Sequence, residues 1–157
     1  MAKKKKKLTR PKQILTAVQV YDLALDVANH QLGFTGIDPT TLARIITAIA
    51  KKESTFDANA QNPGSSARGL MQILSKTQAA IEKMLKLTPA PDQIWDPAYS
   101  LMLGANYLAY QYHRYGDWQK AVHAYNQGSY PGKAKAGAAY RTAVFNQYGT
   151  IPFDNLA

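Results

Sequence analysis

The chain has 157 residues, 46% of them hydrophobic, which suits one domain with a sizeable core and excludes a disordered chain. It has no cysteine, and its histidines, His30, His113 and His123, form no metal-ligand spacing; any chemistry rests on carboxylates, hydroxyls, amides or lysine, and no metal or cofactor is expected. The net charge of +9 is uneven: Lys3 to Lys7, Arg10 and Lys12 supply seven cations before the first acid, Asp22, and the remainder carries a net of only +2.

Residues 1–9 read as a basic flexible arm and residues 10–157 as a single domain. The arm suits an anionic partner, with the cell envelope favoured over nucleic acid. No apolar h-region follows the lysines, and no apolar run approaches the ~20 residues of a membrane span. The sequence therefore predicts a protein made in the cytoplasm without a signal peptide. Thr9 and Pro11 predict a helix start, with Ile14, Leu15, Val18, Tyr21, Leu25, Ala28 and Leu32 as its apolar face and Gly33 as its end. Asp38-Pro39 opens a second helix, whose stripe Leu42, Ile45, Ile46, Ile49 runs to Glu53. A polar loop, DANAQNPGSSAR, follows and turns apolar at Leu70. A third helix is predicted from about Ser75 to Leu87, with Ala79, Ile81, Met84 and Leu85 as its apolar positions. After a TPAPDQIW loop, Asp96-Pro97 caps a long helix ending at Gly116. Asp117 caps a short helix, WQKAVHAYN, and a QGSYPG turn leads to a last helix stopping at Gly149. No stretch alternates with period two. The class is all-α, a compact domain of about six helices with few or no strands.

Glu53 and Glu82 are the only glutamates. Glu53 shares a face with Ile45, Ile46 and Ile49 and sits in the last turn of its helix, where the helix dipole opposes a negative charge. Both effects raise its pKa, and a carboxyl protonated near neutral pH can donate a proton to a leaving group. A surface residue beside Lys51 and Lys52 is the other reading of Glu53 from periodicity alone.

Three stretches occur in order: Glu53-Ser54, Gly69-Leu70-Met71-Gln72-Ile73 and Ala124-Tyr125-Asn126-Gln127-Gly128. With Asp96-Pro97, Gly104, Tyr107-Leu108 and Tyr115-Gly116-Asp117-Trp118, they resemble the lytic transglycosylases of the soluble SLT type, relatives of goose-type lysozyme, over about residues 38 to 145. The resemblance implies a lysozyme-like fold. It also implies cleavage of the β-1,4 bond between N-acetylmuramic acid and N-acetylglucosamine, with a 1,6-anhydro product. Glu53 matches the single catalytic acid, which acts as acid and then as base. Gln72, Tyr125, Asn126 and Tyr140 match substrate-facing positions, with Tyr125 expected to place its hydroxyl near Glu53. Ser65 or Ser66 matches a serine near the N-acetyl group. Met71 reads either as a cleft residue or as core. The family often has Pro where this chain has Ser75, and Glu where it has Ala136; the second departure weakens the outer substrate contacts.

Asp57 is the nearest second carboxylate, and a loop cap or surface acid is preferred for it. The competing functions are a true lysozyme hydrolysing the same bond and an inactive wall- or nucleic-acid-binding module. A bacteriophage lysin, acting as an endolysin or a virion component, is the expected setting, and a monomer the expected state. Deleting residues 2–7 should leave the domain folded and weaken its action on anionic cell envelopes at low salt, the loss shrinking as salt rises. Rates on whole cells across a salt series check this.

Overall fold

The computed structural model describes residues 10–156. The lysine run Lys3–Lys7 and the helix start expected at Thr9 lie outside the described residues. Six α-helices follow in order: α1 Ala17–His30, α2 Pro39–Ser54, α3 Ser75–Met84, α4 Pro97–Tyr115, α5 Trp118–Gln127 and α6 Ala134–Thr150. Short 3-10 turns occupy Pro91–Trp95 and Phe153–Asn155, the first inside the expected TPAPDQIW loop. Among the described residues, extended pairing is limited to isolated bridges, as the all-α expectation requires. No helix among them is long and apolar enough to cross a membrane.

The centre of the domain is α2. Asp38 caps it by accepting from Thr41 N–H, Pro39 fills its first turn, and Thr55 stops it in a left-handed conformation. Its residues Leu42, Ala43, Ile45, Ile46, Thr47, Ala48, Ile49 and Ala50 are all buried, so the helix is covered on nearly every side. It packs against α1, α4 and α6, while α5 joins α4 to α6. Thr47 fits this environment by returning its hydroxyl to Ala43 C=O at 2.8 Å.

The first helix begins later than the sequence suggests. Thr16, not Thr9, is the cap, in a reciprocal capping box with Gln19. The buried face is Val20, Ala24, Val27 and Ala28, while Ile14 is 58% exposed. Counting apolar period from Ile14 includes residues that are not helical. Residues 10–15 instead form an extended strap across the loop after α2: Leu15 N–H donates to Phe56 C=O and Ala58 N–H to Gln13 C=O, both at 2.9 Å. Arg10 donates to Asn59 Oδ1 and stacks over Trp95.

Two further expectations change. The third helix ends at Met84, and its buried residues are Gln78, Ile81 and Glu82; Ala79 and Met84 face outward. Glu82 is enclosed because Tyr99 O–H (2.6 Å) and Ala90 N–H (2.9 Å) both donate to its Oε2. The last helix runs through Gly149 to Thr150.

Asp57 anchors the strap. It is 8% exposed, and its Oδ1 accepts from Gln13 N–H and Asn59 N–H, each at 2.9 Å. Asp57→Ala leaves these part-buried donors without their acceptor and should cost about 1 kcal/mol of stability, whereas Asp57→Asn keeps an acceptor oxygen and should cost less; urea denaturation of both checks the order.

Candidate active site

At the end of α2 a cleft of about 510 Å³ opens, with Glu53 in its lining. One wall is the segment from Asn62 to Leu74; the other is formed by Tyr107 of α4 and the end of α5, from Tyr125 to Gly128. The first wall is irregular backbone held by local bonds. Gly69 has φ +78°, and a Cβ there would come within 2.6 Å of Ile94 C=O, so only glycine fits. Gln72 lines the cleft and spends its amide N–H groups on Ala60 C=O (3.1 Å) and Gly69 C=O (3.0 Å), which leaves its amide oxygen for a ligand. Arg68 ties the same wall to α3 through Ser75 Oγ at 2.6 Å, and Ser75 N–H donates to Ser66 Oγ at 3.0 Å.

Glu53 is half-buried, and its pKa is pushed up to about 7. Burial is the largest cause; Lys52 and the nearby Tyr140 hydroxyl pull the other way, toward the carboxylate. The Tyr140 hydroxyl is itself buried and lies beside the carboxyl without completing a well-formed hydrogen bond. Burial, and then the Glu53 charge, hold both Tyr140 and Tyr125 well above the usual phenol range, so both keep their protons. The arrangement can therefore hold a proton at Glu53 near neutral pH and accept one back there.

The expected site residues divide into two groups. Glu53, Gln72, Tyr125 and Asn126 line the cleft together. Tyr140 is 7% exposed and stands behind Glu53. The Tyr125 hydroxyl donates to Met71 C=O at 3.2 Å, so it fastens the two walls to each other. Met71 does not face the cleft: its side chain is fully buried, against Gly104, where a Cβ would come within 2.8 Å of Met71 Cε. Ser65 lies on the exposed part of the loop, outside the lining, and its Oγ accepts from Ala67 N–H. Ala136 is exposed. Asn62, Thr77, Tyr107 and Gln127 add polar side chains to the lining without having been expected as substrate contacts. Gln127 adjoins Asn126 in the sequence, and that adjacency was the available signal.

A lone raised carboxyl in a groove of amides and tyrosines, on an all-α frame, defines a lysozyme-like domain built around one acid. The chain matches the Transglycosylase SLT domain over residues 36–147 and belongs to that family. It is 34% identical to the soluble lytic murein transglycosylase of Escherichia coli K12 over 107 residues, which is 66% of this chain and 15% of that protein's length. It is 30% identical to Invasion protein IagB of Salmonella typhimurium over 109 residues, 68% of this chain and 67% of the other. Among solved structures it resembles the 70-kDa soluble lytic transglycosylase in complex with bulgecin A, with a TM-score of 0.59 and 26% identity over 84% of this chain and 22% of that one. The same enzyme from Escherichia coli gives a TM-score of 0.57 and 27% identity over 83% of this chain and 21% of the other.

The raised pKa has a consequence for stability with a definite sign. Below the ordinary value of 4.5 the carboxyl is protonated whether the chain is folded or not, and burial costs nothing through ionisation. As pH rises from there through about 7, the unfolded chain ionises first and folded stability falls. Glu53→Gln removes the ionisation, so it should raise the melting temperature above wild type at about pH 8 and change it little at about pH 4. Calorimetry at the two pH values checks this, and equal shifts would place the cause elsewhere.

Proposed function

We propose that this domain is a peptidoglycan lytic transglycosylase acting on the β-1,4 bond between N-acetylmuramic acid and N-acetylglucosamine. Glu53 is the acid. Its proton passes to the glycosidic oxygen as the bond from that oxygen to C1 of the muramoyl sugar breaks. Glu53, now a carboxylate, takes the proton of the muramoyl C6 hydroxyl while the C6 oxygen bonds to C1. The acid is regenerated, no water is consumed and the product ends in a 1,6-anhydro ring. Tyr140 favours the carboxylate form between the two steps. Gln72, Tyr125 and Asn126 are the proposed sugar contacts, with Tyr125 acting mainly by holding the walls together.

The observation that carries this reading is the absence of a second carboxylate from the cleft lining among the described residues. A retaining or inverting hydrolase uses two acids across the bond. Asp57 is occupied by Gln13 and Asn59, and Glu82 by Tyr99 and Ala90. The C6 hydroxyl needs no second carboxylate and has the advantage of proximity over free water. Family membership and the likeness to named lytic transglycosylases support the same substrate. Opening of the wall, in phage lysis or wall penetration, is the proposed setting. There the basic segment Lys3–Lys7 would hold the enzyme on an anionic envelope.

The muropeptides should end in 1,6-anhydro-muramic acid, about 18 mass units lighter than hydrolysed ones because attack is intramolecular. Glu53→Gln should lower the rate by at least about a hundredfold, the scale of an essential acid–base group, while Asp57→Asn stays active. Mass spectrometry of the digest and rates of the two variants decide it: reducing-end muramic acid together with a dead Asp57→Asn would make the enzyme a lysozyme.

A further inference from the structure

The turn between α5 and α6 is tied down from several sides. Arg114 donates to Gly128 C=O at 2.9 Å, and Tyr130 N–H donates to the Tyr115 hydroxyl at 2.9 Å. His123, buried in α5, places its Nε2 2.7 Å from Pro131 C=O. Lys133 N–H closes the turn on Gln127 Oε1 at 3.1 Å. Gly132 fits beneath that contact: its φ is +49°, and a Cβ there would come within 2.8 Å of Gln127 Cβ. Gln127 is the last residue of α5 and lines the cleft beside Asn126.

The bond from Lys133 fixes more than a position. A backbone N–H can only donate, so the end of the Gln127 amide that meets it is the oxygen. The other end is then the nitrogen, which donates to Asn126 Oδ1 at 2.6 Å. Asn126 has its oxygen engaged in turn, and what it has left for the cleft is Nδ2, a donor. Gln72 on the opposite wall is fixed the other way, with its N–H groups on Ala60 C=O and Gly69 C=O and its oxygen free. An unanchored amide can flip to suit either kind of partner, and these two cannot. A sugar hydroxyl both donates and accepts, so it can turn to meet either end of an amide. A carbonyl oxygen only accepts, so a fixed donor serves it and a fixed acceptor rejects it.

We propose that Gln127 is a positioning residue: anchored by Lys133 N–H, it holds the Asn126 amide with Nδ2 toward the cleft, as a donor to a carbonyl oxygen of the bound glycan. This rests on the transglycosylase reading of the cleft, in which Asn126 meets the sugars. The carbonyl belongs to an acetamido group or to the lactyl amide of the muramoyl sugar. Gln127 acts on the substrate through Asn126 alone, and the fastened turn acts through Gln127.

Gln127→Glu inverts the polarity while keeping the shape. Above the ordinary glutamate range, about 4.3, both oxygens of the new carboxylate only accept. One keeps Lys133 N–H; the other draws Asn126 Nδ2 toward itself, and the asparagine turns its oxygen to the cleft. Below that range the neutral acid donates its O–H to Asn126 Oδ1, and the donor returns to the cleft. Binding is measured by calorimetry in the Glu53→Gln protein. The probe is the alternating N-acetylglucosamine–N-acetylmuramic acid tetrasaccharide with its lactyl carboxyls as amides, so that it carries no charge. Against the Glu53→Gln parent at the same pH, adding Gln127→Glu should weaken binding roughly tenfold at about pH 7 and leave it within about twofold at about pH 3. With Asn126→Ala also present, the exchange at 127 should change nothing at either pH. The N-acetylglucosamine tetrasaccharide lacks lactyl groups, so an acetamido partner keeps the pH response in it and a lactyl-amide partner loses it. No weakening, equal weakening at both pH values, or weakening that survives Asn126→Ala overturns the proposal. Any of these beside a wild-type digest with anhydro ends sinks the proposal alone. A digest without anhydro ends sinks the transglycosylase reading, and this proposal with it.

Discussion

A carboxyl group fixed at the C-terminal end of a buried helix is the constraint on which the rest of this domain depends. The position is unfavourable twice over: the helix dipole opposes a negative charge there, and the surrounding protein removes water from it. Neither can be relieved by moving the helix. Ile45, Ile46 and Ile49 lock α2 into the core on the face that Glu53 shares, and Thr55 ends the helix one residue after Ser54. Ser54 returns its hydroxyl to Ala50 C=O, which keeps the last turn closed. The cation acting on Glu53, Lys52, is exposed, so its attraction for the carboxylate is screened by solvent and loses to burial. The packing of the core thus sets the protonation state of the site.

Such an acid is useful only if the opposite wall stays at a fixed distance. That wall is loop, and its rigidity comes from bonds the sequence places at separate points. Gly69 lets the backbone pass under Ile94, Gln72 clamps it to Ala60, and Tyr125 fastens Met71 C=O to α5. Ser75 adds a device that proline at this position would forgo. A proline has neither an N–H to give Ser66 nor a hydroxyl to receive Arg68, and here Ser75 supplies both. The departure from the family pattern replaces a conformational restraint with a hydrogen-bonded one at the start of α3.

What could be read from the sequence followed the range of the interactions involved. The starts of α2, α4 and α5 were legible because Asp38, Asp96 and Asp117 act on N–H groups two or three residues away. The start of α1 was not, because residues 10–15 are held extended by Phe56 and Ala58, more than forty positions on. The stripe of α3 misled for a related reason: its inward face is occupied by Gln78 and Glu82, whose partners lie in the 90s. In the site, Glu53, Gln72, Tyr125 and Asn126 sit in contiguous motifs, whereas Asn62 and Thr77 lie outside them and reach the cleft only through the way α3 and the loop meet. Met71 lies inside a legible motif and still points away, because Gly104 on α4 leaves the space its thioether fills.

The two glutamates show how burial alone does not make a catalytic acid. Glu82 is 3% exposed, more enclosed than Glu53, yet Tyr99, Ala90 and Gln78 all donate to the same carboxylate oxygen. That oxygen is satisfied by donors, and the residue joins α3 to the segment before α4 and to α4 itself. Glu53 has one phenol beside it and no backbone N–H donating to it among the described residues. Removing water without supplying donors raises the proton affinity and leaves an oxygen free to meet a substrate. Hydrogen-bond donors to a carboxylate oxygen lower its proton affinity, so their scarcity around Glu53 works in the same direction as its burial. The raised proton affinity of Glu53, on which the proposed acid role rests, therefore lies in what the core withholds from one residue.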